Sequence, residues 1–194
     1  MTNLSHVPRT LAFLLVAGVL VAASAAPTVA SGPVVDEPDP HGDVVEVSVD
    51  VVDAAVEQSV DIRHVTVTRS RGGARFTVRM RKVLPVQGKL FQQVNVSVSA
   101  PAGSAKWWSF DANVNVQHLH AGGAGYTPEI RDPGHTSFCE IQAMRTSRSV
   151  TIFVPGKCLP SAPGVLHVGT SLATRRQLDW ISYDRFELSG VDLS

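Results

Sequence analysis

Alternation with period two is the feature that most narrows the folds open to this chain. Across residues 93–98 the valines at 94, 96 and 98 alternate with Asn95 and Ser97. Across 107–116, Trp108, Phe110, Ala112, Val114 and Val116 fall in phase, with Asn113, Asn115 and the following Gln117 outward. Successive side chains of a strand point to opposite faces, so this is the pattern of a half-exposed strand. The same rhythm places Ile62, His64, Thr66 and Thr68 on one face of a strand, with Arg63, Val65 and Val67 on the other. After a hairpin turn at Arg71, Gly72 and Gly73 it returns with Phe76, Val78 and Met80 apolar, and it recurs over 149–155, 165–170 and 180–188. A first strand is expected over 44–52, and residues 53–59 read equally as a loop or as one short helical turn. Eight or nine short strands, with neither an amphipathic helix nor an internal repeat, predict an all-β chain. The expected architecture is an antiparallel β-sandwich, jelly-roll-like, with one disulfide.

Residues 1–30 have the three parts of a secretory signal peptide: Arg9 in a short n-region, an apolar run over 11–21, and small residues over 22–30. The run is too short for a membrane span, which takes roughly 20 apolar residues, and no later segment approaches that length. The expectation is a secreted, extracellular protein with no transmembrane anchor after cleavage. Residues 31–40, SGPVVDEPDP, are acidic and proline-rich and read as a flexible leader; 41–194 read as a single domain, long enough for a core of its own. Lys and Arg number 17 against 17 Asp and Glu. That balance argues against nucleic acid, which would select a basic face.

Two cysteines in an exported chain most often pair. With a turn near Ser147, Cys139 and Cys158 fall at the open ends of one hairpin, where a bridge would contribute roughly 3 kcal/mol. The functional alternative is a nucleophilic Cys139 beside His135 within GHTSFC. That order is not the one cysteine transpeptidases show.

The opening DPHGDV at 39–44, DIRHV at 61–65, the run VPGKCLPSAPGVLHV at 154–168 and the late Tyr183-Asp184 pair resemble a group of small exported actinobacterial β-sandwich proteins of uncharacterised activity. The first half is also similar to accessory modules of secreted hydrolases. The resemblance implies the fold and the location. By analogy it implies a cell-envelope or ligand-binding role, with a cell-wall glycan or another exported protein as partner.

Calcium takes six to eight oxygens, usually from carboxylates and carbonyls around a turn. Asp39 and Asp43 flank a glycine turn, and Asp61 and Asp184 join them if the ends of the fold meet; these four are the candidate metal ligands, with calcium the candidate cofactor. The alternative is that the two turn aspartates cap their own backbone. His118 and His120 share a strand face at a spacing that suits a transition metal, but no further ligand pattern follows. Trp107 and Trp108 must point to opposite faces, and one of them with Trp180 or Tyr126 forms a candidate stacking platform for a sugar ring. The chain has no G-x-S-x-G elbow, H-E-x-x-H pair, phosphate loop or dinucleotide glycine pattern. A non-catalytic protein is therefore expected; the alternative is a small secreted hydrolase with its site in the 121–137 loop, and Glu129 with Asp132 or with Glu140 is the carboxylate pair a glycoside hydrolase would need.

Overall fold

The computed structural model describes residues 32–40, 42–47, 53–85, 90–105, 109–119, 129–132, 135–138, 140–174 and 180–193; for His118, 129–132, 135–138 and Trp180 it describes the backbone alone. Two five-stranded antiparallel sheets carry the fold. The first runs in the order β1 (Pro33–Pro38), β3 (Ile62–Ser70), β4 (Gly73–Met80), β10 (Ser149–Pro155), β9 (Gln142–Arg145). The second runs β2 (Val45–Glu46), β12 (Trp180–Val191), β11 (Gly164–Thr174), β5 (Leu90–Ser99), β6 (Ser109–Asn115). A separate hairpin pairs β7 (Glu129–Asp132) with β8 (His135–Phe138). The all-β expectation holds among the described residues, where the helical pieces are α1 (Ala54–Glu57) and short 3-10 turns. None of these is long and apolar enough to cross a membrane.

The inward side chains of both sheets form one apolar cluster. Val65, Val67, Phe76, Val78, Val150 and Ile152 come from the first sheet, and Val94, Val96, Phe110, Val114, Leu166 and Val168 from the second. Each fully buried valine, isoleucine or leucine contributes roughly 1.5–3 kcal/mol. Phe76 of β4 and Phe110 of β6 stack across the cluster, ring centroids 6.5 Å apart. A second, smaller cluster comprises Val60, Leu84, Leu172 and Ile181.

Several expectations change at particular residues. The segment read as a flexible leader contains β1, paired antiparallel with β3; its prolines sit at its two ends, where an edge strand tolerates them, and Val35 is buried. The strand expected over 44–52 is two residues long in the described part, and 48–52 lie outside it. Ile62 does not share the face of His64: the pairing of β3 with β4 shifts between these residues, so Ile62 turns inward with Val65 and Val67. Residues 54–60 are helical, the Asp53 carboxylate accepting from the Ala55 amide at 2.8 Å as an N-cap.

Gln117, expected outward, is 3% exposed. β6 ends at Asn115, whose side chain accepts from the Gln117 amide at 3.2 Å and starts a 3-10 turn, so the strand phase is lost there. Gln117 then accepts from the Gln92 amide at 2.7 Å. The fully buried Gln92 side chain accepts from the Leu84 amide at 2.7 Å and donates to Ser59 Oγ and the Lys82 carbonyl. Cys158 is buried in the turn after β10; Cys139 lies outside the described residues.

Candidate metal centre

β1 belongs to the first sheet and β2 to the second, and Asp39, Pro40 and residues 42–44 lie between them in the chain. Asp39 remains attached to the first sheet, its amide donating to the Arg63 carbonyl at 3.3 Å. Gly42 then adopts φ +81°, a left-handed conformation that glycine reaches without Cβ strain, and Asp43 follows directly. β2 pairs with β12 in the register Val45 to Tyr183 and Glu46 to Ser182. One residue further, that register sets Asp184 across from Val44, beside Asp43.

Three carboxylates therefore converge from both sheets: one oxygen each of Asp39, Asp43 and Asp184 lies within 4.8 Å of the others. Asp184 is 2% exposed and Asp39 6%, whereas Asp43 is exposed and opens the cluster to solvent. Asp184 is held in place by two backbone donors, Ile62 N to Oδ2 at 2.6 Å and Arg185 N to Oδ1 at 2.7 Å. Asp61, immediately before Ile62, is fully buried. Its Oδ2 lies 2.6 Å from the Arg63 guanidinium, an ion pair off hydrogen-bonding geometry, and both its oxygens lack a hydrogen bond. Asp39 Oδ2 is likewise buried without one.

Burial, reinforced by the charges of Asp184, Asp43 and Asp61, pushes the Asp39 carboxyl up to about 7. Burial also raises Asp184, to about 6, against the pull of its two backbone donors and with further upward pressure from Asp43 and Asp61. Without a counter-charge, carboxylates at this spacing cannot all ionise cheaply. Opposite ligands around calcium stand up to roughly 5 Å apart, since each Ca–O distance is about 2.3–2.6 Å. The cluster fits that span, and its orphaned oxygens are hard donors of the kind calcium prefers. Asp39, Asp43 and Asp184 would hold the ion directly, with Asp61 adding charge from behind.

Of the four aspartates singled out in the sequence, Asp39, Asp43 and Asp184 converge, while Asp61 is buried beside them in an ion pair with Arg63; the other candidates are not brought together among the described residues. Trp107, Trp108, Tyr126, His120 and Cys139 lie outside the described residues, and Trp180 is placed only as the first backbone position of β12. His118 falls in the 3-10 turn after β6. Of the 121–137 loop, 129–132 and 135–137 lie in the β7–β8 hairpin, with Asp132 opposite His135, so this part is regular where an irregular loop was expected. His64 pairs with Asp36 at 2.6 Å and His167 with Glu187 at 3.3 Å, each at the surface. The Gln92 network escaped the sequence reading because its partners lie in separate loops and strands. Comparison with protein-family models, with curated proteins and with solved structures finds no match to this chain.

Proposed function

We propose that this chain is an exported, non-catalytic binding module: a jelly-roll-like antiparallel β-sandwich in which a calcium ion ties the two sheets together at Asp39, Asp43, Asp61 and Asp184. The observation that carries this reading is the convergence of three carboxylate oxygens within 4.8 Å, with a buried Asp39 oxygen that has no hydrogen-bond donor. Residues 1–30 serve as the signal peptide, and the mature protein works outside the membrane, with cell-wall glycan as the partner. A Cys139–Cys158 bridge belongs to the same reading, supported by the burial of Cys158 just beyond the β9–β10 hairpin. The raised carboxyls are what a cation site shows without its ion, so they do not call for acid–base catalysis.

Thermal unfolding of the mature protein, with millimolar calcium against a chelator, tests the cation site. Calcium at about a hundredfold over its Kd contributes about 2.7 kcal/mol, a rise in Tm of roughly 5–10 °C for a domain of this size. Asp39→Asn should abolish that rise and at the same time stabilise the chelated protein, because it removes one of the mutually repelling charges. Superimposable curves with and without calcium would sink the assignment, and magnesium in a parallel arm tests the choice of ion.

A further inference from the structure

The second sheet turns its polar face outward, away from the apolar cluster, and that face is not flat. Cross-strand register aligns Arg185 of β12, Gly169 of β11, Asn95 of β5 and Asn113 of β6 in one row. The adjacent row holds Tyr183, Ser171 and Gln93. Along β11 the outward positions 169 and 171 are therefore glycine and serine, flanked by larger side chains on both neighbouring strands. Strands lie about 4.8 Å apart, so the two walls stand roughly 9–10 Å from each other. The result is a trough of about 420 Å³ with β11 as its floor.

Gly169 is the telling residue. Glycine inside a strand costs stability and often marks the close approach of a ligand. The fold does not demand it: a Cβ at 169 would meet only Asn95 Cβ at 3.9 Å and the Asp184 carbonyl oxygen at 4.0 Å, ordinary contact distances. What the missing side chain provides is depth. The amides of Gln93, Asn95 and Asn113 make no hydrogen bond to the protein among the described residues, and each offers donors and an acceptor together. Opposite them, the Arg185 guanidinium lies 4.9 Å from the Tyr183 ring centroid, so the two side chains stand as one wall.

We infer that this trough is a saccharide-binding site, in which the amides of Gln93, Asn95 and Asn113 exchange hydrogen bonds with sugar hydroxyls while Tyr183 and Arg185 flank the ring. Hydroxyls are donor and acceptor at once, as amides are, and the three amides, two in the Arg185 row and one in the next, suit a polyhydroxyl chain in a trough that Arg185 and Asp184 also line. The inference deepens the reading of the chain as a glycan-binding module, and it moves the contact from the tryptophan platform expected in the sequence to these amides.

Native gels cast with a soluble glucan, a soluble galactan or a soluble chitosaccharide test it on the mature protein. At least one polysaccharide should retard the wild type. Gly169→Val, which fills the trough with a residue strands favour, and Asn95→Ala should each weaken that retardation about tenfold while the proteins still melt cooperatively. Failure of all three polysaccharides to retard the wild type, or equal retardation of both variants, overturns the assignment. Retention by an envelope-protein fraction alone also overturns it and makes the face a protein contact. The calcium-dependent rise in Tm should persist in Gly169→Val, so loss of the glycan site and loss of the cation site can be told apart.

Discussion

Two buried polar clusters lie close together in this molecule and solve the same problem in opposite ways. The Gln92 cluster is neutral and closed: its side-chain oxygen and nitrogen, the Leu84 amide, the Lys82 carbonyl and Ser59 Oγ satisfy one another within the protein. The aspartate cluster is charged and open, with orphaned oxygens on Asp39 and Asp61 and like charges forced together. A buried polar group is tolerated when its partners are present and costly when they are not. The first cluster is complete as the chain folds; the second would be completed by the cation proposed for it.

The comparison can be broken most directly at Gln92. Gln92→Leu keeps the side-chain volume and strands the Leu84 amide, the Lys82 carbonyl and the Ser59 hydroxyl, so it should cost about 2–4 kcal/mol. Chemical denaturation should give the same loss with calcium and with chelator. A loss that calcium rescued would mean that the two clusters are not independent.

A smaller effect, specific to the aspartates, is the response to pH. Asp39 and Asp184 have folded-state values of about 7 and about 6, both above the ordinary carboxyl value of 3.8. Between pH 4 and 7 the folded, ion-free protein holds more protons than the unfolded chain. Its stability should therefore fall as pH rises through that window and level off above it. Calcium requires the deprotonated carboxylates, so its stabilising effect should grow over the same interval. Melting temperatures measured from pH 4 to 8, with and without chelator, should diverge as pH rises; parallel curves would remove the cation from the account.

How much of this was legible in the sequence depends on how local the determining contact is. Alternation exposed β4, β5 and β6 because each depends only on its own residues. The turn at Gly42 was visible for the same reason, and it placed Asp39 and Asp43 together. Asp184 could be proposed as a fourth member, yet its arrival depends on the pairing of β12 with β2, a register that no local pattern encodes. Ile62 and Gln117 went to the wrong faces where a bulge and a 3-10 turn interrupt the count of two. The amides of the trough were hidden for a further reason: Gln93, Asn95, Asn113 and Arg185 each read as ordinary solvent-facing positions, and only the register across four strands sets them around Gly169.

The pairing of β2 with β12 also has a kinetic side. These strands come from near opposite ends of the described chain, so the carboxylates meet only after a very long loop has closed. Contacts of that separation tend to form late, beyond the rate-limiting step. A cation seated there would leave the speed of folding almost unchanged and act as a latch on the way out, lowering the unfolding rate by nearly the whole of its stabilising effect. In stopped-flow experiments calcium should displace the unfolding arm of the chevron and leave the folding arm where it stands. The ion would then lengthen the lifetime of the folded chain, which governs its survival wherever cleavage of the opened form outpaces its reclosing.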